Sequence, residues 1–163
     1  MAIQFGMARM IMRDTFDTPA PTPAMIELGC VQSGSIDFAY DKATLFCGDK
    51  LFPMDVRYHS CQITGRAAFA KLTATGFEYL IGGSKDGANL DVDWTSQPKY
   101  WSLEFLLVTS SVTFKVTLYK CTSGNLSFGF ARDSHVIPEF NFSAIADDIN
   151  SGRVARFELA DVS

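Results

Sequence analysis

The feature that most constrains this chain is an alternation of apolar and polar residues with a period of two, repeated in segment after segment. Ser35 to Tyr40 carries it cleanly, with Ile36, Phe38 and Tyr40 set against Ser35, Asp37 and Ala39. Such a pattern puts one face of an extended chain in a core and the other in solvent. Lys99–Thr109 and Val112–Cys121 read as two strong strands, with Ser110-Ser111 placed for a tight hairpin. Leu126–Phe130 alternates again, and Glu139–Ala146 with Arg153–Ala160 form a last pair around Asn150-Ser151-Gly152. Earlier in the chain, Met25–Val31 reads as a short strand and Ser33-Gly34 as a break or bulge. Val56–Leu72 is strand-like, with Gly65 a bulge or crossing point. Ile3–Arg13 alternates in part, with Ile3, Phe5, Met7 and Ile11 on one side.

Between these runs stand the breakers. Asp14–Pro23 holds Pro19, Pro21 and Pro23, which remove backbone donors and favour an extended connector or an arm laid on a neighbour. Asp41–Asp55, punctuated by Gly48 and Pro53, is expected to be a long loop or hairpin rather than a core strand. One short helix is predicted, capped by Thr75, with Phe77, Leu80 and Ile81 as its apolar face and Gly82-Gly83 as its end. Gly82 to Pro98 is then loop. Strands with a single central helix predict a mainly β fold: an antiparallel sandwich or partly open barrel with one short flanking helix. At 163 residues the chain is expected to form a single domain over 1–163, with 1–24 its N-terminal strand and Pro-rich segment.

Composition narrows the function. The chain is 47% hydrophobic with fourteen Phe, which excludes disorder and suits packed sheet faces. Its formal net charge of −4 disfavours ordinary nucleic-acid binding. No run is long enough to span a bilayer as a helix, and the Met-rich start, interrupted by Arg9, does not read as a secretory signal. Cys30, Cys47, Cys61 and Cys121 allow two disulfides by count, but their irregular spacing favours four reduced thiols, at least partly buried.

Catalytic and ligand-binding patterns are sparse. His59 and Cys61 stand at i and i+2 on a strand and so are expected to share a face, with Cys47 and His135 able to complete a tetrahedron. The spacing matches no zinc module, so ordinary strand residues and no cofactor are expected. Neither histidine stands in a catalytic motif, and the pairs Asp91/Asp93 and Asp147/Asp148 suit a loop and a turn better than a glycosidase cleft. No phosphate-cradling glycine motif is present. Tyr100 and Trp101 are adjacent, so one is expected in the core and the other outside, which suits a sugar platform or a subunit interface alike.

From Ala43 to Gly83 the residues run ATLFCGDKLFPMDVRYHSCQITGRAAFAKLTATGFEYLIGG. Leu45-Phe46, Gly48, Lys50 and Phe52-Pro53, then Ile63-Thr64-Gly65-Arg66-Ala67, then Phe77 to Gly82, resemble the loop, strand and helix of phage tail tube proteins. Cys47 is an insertion within the loop piece. Pro138 to Phe142 and Ala146-Asp147 resemble the family's final hairpin more loosely. The likeness covers most of the chain and is sharp over about a quarter of it. It implies a non-enzymatic structural protein of the virion tail, assembled in the bacterial host cytoplasm. Its subunits would close into hexameric rings that stack as a hollow conduit for phage DNA. Implied partners are other copies of the chain, the tape-measure, initiator and terminator proteins, and passing double-stranded DNA that is not specifically bound; no membrane is implied. A head–tail joining or capsid-decoration protein, or a carbohydrate-binding module, are the alternatives.

On this reading, Leu45, Phe46, Leu51 and Phe52 of the Asp41–Asp55 loop are the expected stacking contacts, with Phe16 anchoring the Pro-rich segment on a neighbour. The lumen is expected to be acidic or neutral, so that DNA passes without counterion-release affinity, and Asp37, Asp91 and Asp93 are its candidate acids.

Overall fold

The computed structural model describes residues 7–14, 25–46, 48, 55–69, 73–108, 112–130, 132, 136–146 and 152–161. Leu51, Phe52, Phe16, Cys47, His135, Asp147, Asp148 and the Pro-rich segment beyond Asp14 lie outside the described residues.

The fold is mainly β and antiparallel with one short helix, consistent with a β-sandwich. Its strands are β1 (Met7–Arg13), β2 (Met25–Leu45), β3 (Asp55–Phe69), the short β4 (Ser84–Asp86) and β5 (Asn89–Asp91), β6 (Trp101–Val108), β7 (Val112–Ser127), β8 (Glu139–Ala144) and β9 (Ala155–Asp161); α1 (Ala74–Ile81) follows β3. The main sheet runs β6-β1-β2-β3-β8-β7-β9, and β6 also pairs with β7, so the two layers share strands. The small β4-β5 hairpin stands apart from it. The alternation read from the sequence decides which face each strand buries. Met10 and Met12, Ile26 and Leu28, Ile63 and Ala67, Trp101 and Leu103, Val116 and Leu118, and Phe140 and Phe142 all fall in phase and fill one core.

Trp101 sits at the centre of that core, fully buried, with edge contacts to Phe140 at 5.9 Å and Phe142 at 6.0 Å. Tyr100 beside it is exposed, as the alternation requires. Polar groups gather on the outer face. Glu104 takes Arg13 Nε at 2.8 Å and Lys115 Nζ at 2.6 Å, and these three link adjacent strands.

Three sequence expectations are corrected. The helix starts earlier than Thr75: Thr73, in extended conformation, is the N-cap, and its Oγ1 accepts from Gly76 N at 3.1 Å. Thr75 Oγ1 instead accepts from Lys85 Nζ at 2.6 Å. The helix does end at Gly82, whose φ of +80° favours glycine. Next, β8 and β9 do not pair with each other. Both pair with β7, β8 along Cys121–Ser127 and β9 along Val112–Leu118, so that they follow one another along a single edge. Leu126 and Ser127 accordingly belong to β7 rather than to a separate strand. Last, of the two readings of Asp41–Asp55 the loop gives way to the hairpin: Asp41–Leu45 pairs with β3 as the end of one continuous strand from Met25 to Leu45, which is irregular between Val31 and Ser33, beside the expected break.

Candidate functional site: an amphipathic arm

β2 and β3 are longer than the body that holds them. β3 pairs with β8 only from Ile63 to Ala68, while its pairing with β2 continues out to Leu45↔Asp55. Beyond Ile63, among the described residues, β2 and β3 have only each other as ladder partners. The eight-residue stretches 38–45 and 55–62 therefore form a two-stranded arm, roughly 26 Å long at about 3.3 Å per residue. A lone two-stranded ribbon is marginal in water.

The arm inherits its two faces from the body. Positions 63, 65 and 67 of β3 point into the core, as do 34 and 36 of β2. The same phase carries on past the body as Phe38, Tyr40, Cys61, Tyr58 and Val56. Tyr40 packs edge-on against Tyr58 at 5.9 Å and faces Cys61 across the ladder. Tyr58 and Cys61 are three positions apart, which strict alternation forbids on one face. Between them the register shifts, Asp41 facing Ser60 and Lys42 facing Tyr58, so His59 is an extra residue in a β-bulge. The bulge resets the phase and keeps aromatic residues on the inner side. It also sends His59 to the other face, where it lines a hollow of about 360 Å³ with Ala43, Thr44, Leu45, Asp55 and Arg57. The expectation that His59 and Cys61 share a face is thus corrected. Among the described residues no three His, Cys, Asp or Glu side chains converge as for a metal.

The opposite face of the arm is polar. Ser60 Oγ donates to Asp41 Oδ2 at 2.6 Å, and Arg57 Nε meets Asp55 Oδ2 at 3.3 Å. Tyr40's hydroxyl is pushed above its ordinary pKa, first by the hydrogen bond with Cys61, then by that thiol's charge and last by desolvation. Cys61 is exposed, whereas Cys121 is buried and its thiol is pushed far up by desolvation; partial burial of the cysteines therefore holds for Cys121 and not for Cys61.

At its root the arm's inner face opens into a groove of about 310 Å³ lined by Ile36, Phe38, Phe105, Phe114 and Phe157. Phe38 and Phe157 are 5.5 Å apart across it. The far end of the body is closed differently. There α1 lies over the core with Tyr79 and Leu80 buried, and Tyr79 Oη donates to the buried Asp14 carboxylate at 2.5 Å.

The sequence-predicted contacts fall unevenly on this geometry. Leu45 and Phe46 are exposed at the arm's end, with Leu45 on the polar side beside Asp55 and Arg57. Sequence reasoning missed Tyr40, Tyr58, Val56, Phe157 and Leu159; strict alternation across His59 hid the first pair, and β9's position beside β7 hid the last. The candidate lumen acids are not brought together. Asp37 lines a shallow hollow with Thr64, Arg66 and Asn141 at the arm's root. Asp91 ends β5, and Asp93 lies in the turn beyond it, near α1. Asp93 Oδ1 accepts from Thr95 N at 2.8 Å, Thr95 Oγ1 at 2.7 Å and Ser96 Oγ at 3.1 Å. The hydroxyl of Thr95, then its amide, then Ser96 hold the Asp93 carboxyl below its ordinary pKa, against a small opposing desolvation. With Trp101 buried, an adjacent Tyr-Trp sugar platform is not formed.

No protein-family model matches the chain, and no curated protein is significantly similar to it.

Proposed function

We propose that this chain is a self-assembling structural subunit of the phage tail-tube type, forming stacked hexameric rings that enclose a passage for DNA. The observation that carries the reading is the arm. On its inner face Phe38, Tyr40, Tyr58 and Val56 continue the apolar phase of the body, interrupted by Lys42 and Thr44, and Tyr40 and Tyr58 are exposed in the single subunit. Burial of such side chains needs a second surface, and a repeating assembly supplies one to every subunit. The formal charge of −4 supports a conduit through which DNA passes without counterion-release binding. The resemblance from Ala43 to Gly83 takes in the last residues of β2, all of β3 and the helix.

Negative-stain electron microscopy of the purified protein, with mass measurement across a concentration series, tests this. Rings and tubes of uniform diameter are expected. Discrete dimers or monomers at every concentration, with or without an initiator complex, would overturn it. Binding to a bare capsid shell instead would move the protein to the decoration class.

A further inference from the structure

The groove at the arm's root has two walls. One is β2, through Gly34, Ile36 and Phe38. The other is the layer β1-β6-β7-β9, whose ladders set Met10, Phe105, Val116 and Phe157 in one row across four strands. Leu107, Phe114 and Leu159 form the next row outward. The mouth is open among the described residues: Phe38 is 40% exposed, Phe157 49% and Leu159 73%. A hollow walled by aromatic and aliphatic side chains suits an apolar occupant.

The chain leads an apolar segment to this mouth. β1 begins at Met7, which pairs with Val108, one row beyond Leu107 and Phe114. Residues 1–6, which lie outside the described residues, read Met-Ala-Ile-Gln-Phe-Gly and carry no charged side chain. If they simply continued β1, Ile3 and Phe5 would take the phase of Arg9, which is exposed, and not that of Met10 and Met12, which are buried. Two large apolar side chains would then face water. Gly6 offers a way out, because a glycine lets the backbone leave the strand and double back. The reach is sufficient. From β1 across β6 and β7 to β9 is three strand spacings, about 14 Å at roughly 4.8 Å each, and six extended residues span about 20 Å. The way in is open too, since among the described residues β1 and β2 pair no further than Arg9↔Cys30.

We propose that residues 1–6 fold back at Gly6 and cover the groove of their own subunit, with Ile3 and Phe5 seated against Phe38, Phe114 and Phe157. The occupant is the chain's own segment because it is tethered at the rim. A short tether supplies a local concentration on the order of millimolar, which a second copy in dilute solution does not match. The device concerns the free subunit and stands whether or not rings form. It keeps an apolar surface from water, and any other ligand of the groove must displace it.

Binding of the apolar dye anilinonaphthalene sulfonate reads how open the groove is. The parent is compared with a chain that lacks residues 1–6 and with Ile3→Ser plus Phe5→Ser. Both altered chains keep β1, so their thermal unfolding should match the parent. Each should bind the dye about tenfold more tightly, the difference expected where a site is filled about nine-tenths of the time by its own segment. Adding Phe157→Ser to the shortened chain should remove that gain, which assigns the dye to the groove. A second measurement needs no truncation: a photoreactive benzoylphenylalanine replaces Phe5, and the protein is irradiated at a concentration where its mass is that of a monomer. Crosslinks within one chain to the peptides holding Phe38, Phe114 or Phe157 are expected. Folded variants with the parent's dye affinity overturn the proposal, as does a gain that survives Phe157→Ser. Crosslinks to other surfaces overturn it as well. Crosslinks that form only between chains would make a second copy the occupant and overturn it equally. Should the altered chains unfold early, the crosslink map alone decides.

Discussion

Placing a methyl group at Gly65 tests how the arm is rooted in the body. Gly65 lies on the inner face of β3, opposite Phe142 of β8 and Ile36 of β2. A Cβ there would stand 2.4 Å from Phe142 Cζ, 2.9 Å from its Cε1 and 2.6 Å from the Ser35 carbonyl oxygen. The ring cannot swing away freely, since it is buried and packed on Trp101 and Phe140. The carbonyl belongs to the paired strand and moves only if the ladder moves. Overpacking of this kind costs about 1–3 kcal/mol, and full ejection of the ring would approach the roughly 3–5 kcal/mol of a buried Phe lost to Ala. Because two obstacles act together and one is backbone, Gly65→Ala should destabilise the subunit by about 3 kcal/mol, at the upper end of overpacking.

For a chain of this size about 1 kcal/mol moves Tm by roughly 2–4 °C, so the expected drop is about 6–12 °C. Thermal unfolding followed by circular dichroism measures it. The variant Gly65→Ala with Phe142→Leu frees space at the first obstacle. It should lose at least about 1 kcal/mol less than the two single changes added together, the scale of coupling between touching residues. A single variant within about 0.5 kcal/mol of the parent, the range of an ordinary surface change, would refute the reasoning. Strict additivity in the pair would show that Phe142 is not the obstacle.

Three further outcomes are expected. Thr73→Ala should cost about 1 kcal/mol by loss of the helix cap, while Thr75→Ala should cost less than about 0.5 kcal/mol, as an exposed side-chain change; chemical denaturation compares them, and the reverse order would restore Thr75 as the cap. Burial pushes the Glu104 carboxyl up, but the bonds from Lys115 and Arg13 outweigh it and hold it below the ordinary value of 4.5; its contribution is therefore present above that value and is lost as pH falls through the folded one, so the acid limb of a stability–pH curve should be shallower in Glu104→Gln. In the native subunit a thiol reagent followed by peptide mapping should label exposed Cys61 and spare buried Cys121; equal labelling would contradict the core assignment.

What was legible in the sequence was whatever local periodicity controls. Ile36 and Phe38, Leu103 and Phe105, Phe140 and Phe142 alternate as half-buried strands do, and the mainly β fold with one helix follows from them. The division of Tyr100 from Trp101 follows equally, because adjacent strand residues face opposite ways. Pairing is different. Glu139–Ala144 and Ala155–Asp161 look like a terminal hairpin because a turn sequence separates them, yet each finds its hydrogen bonds on β7. Nothing within either strand reports which neighbour lies beside it. The helix cap was missed by two residues because Thr73 and Thr75 have the same side chain, and only backbone conformation decides which hydroxyl meets the free amides.

The arm could not be read from sequence for a related reason. Phe38, Tyr40, Tyr58 and Val56 are core residues by type and by phase. β8 stops at Ala144, opposite Ile63, so the sheet loses its third strand while the apolar alternation of β2 and β3 continues. The bulge at His59 bears on what that continuation is for. Were His59 to continue the regular alternation instead of bulging, Tyr58 would turn to the polar face beside Asp41 and Asp55, and its contact with Tyr40 would be lost. A ribbon that merely connected two strands would gain nothing from keeping Tyr40 and Tyr58 in contact on one exposed face. One that docks as proposed above would use both rings, which meet edge-on at 73°. The bulge thus carries the core's phase past the core and leaves Tyr40 and Tyr58 exposed there, the observation on which the assembly proposed above rests.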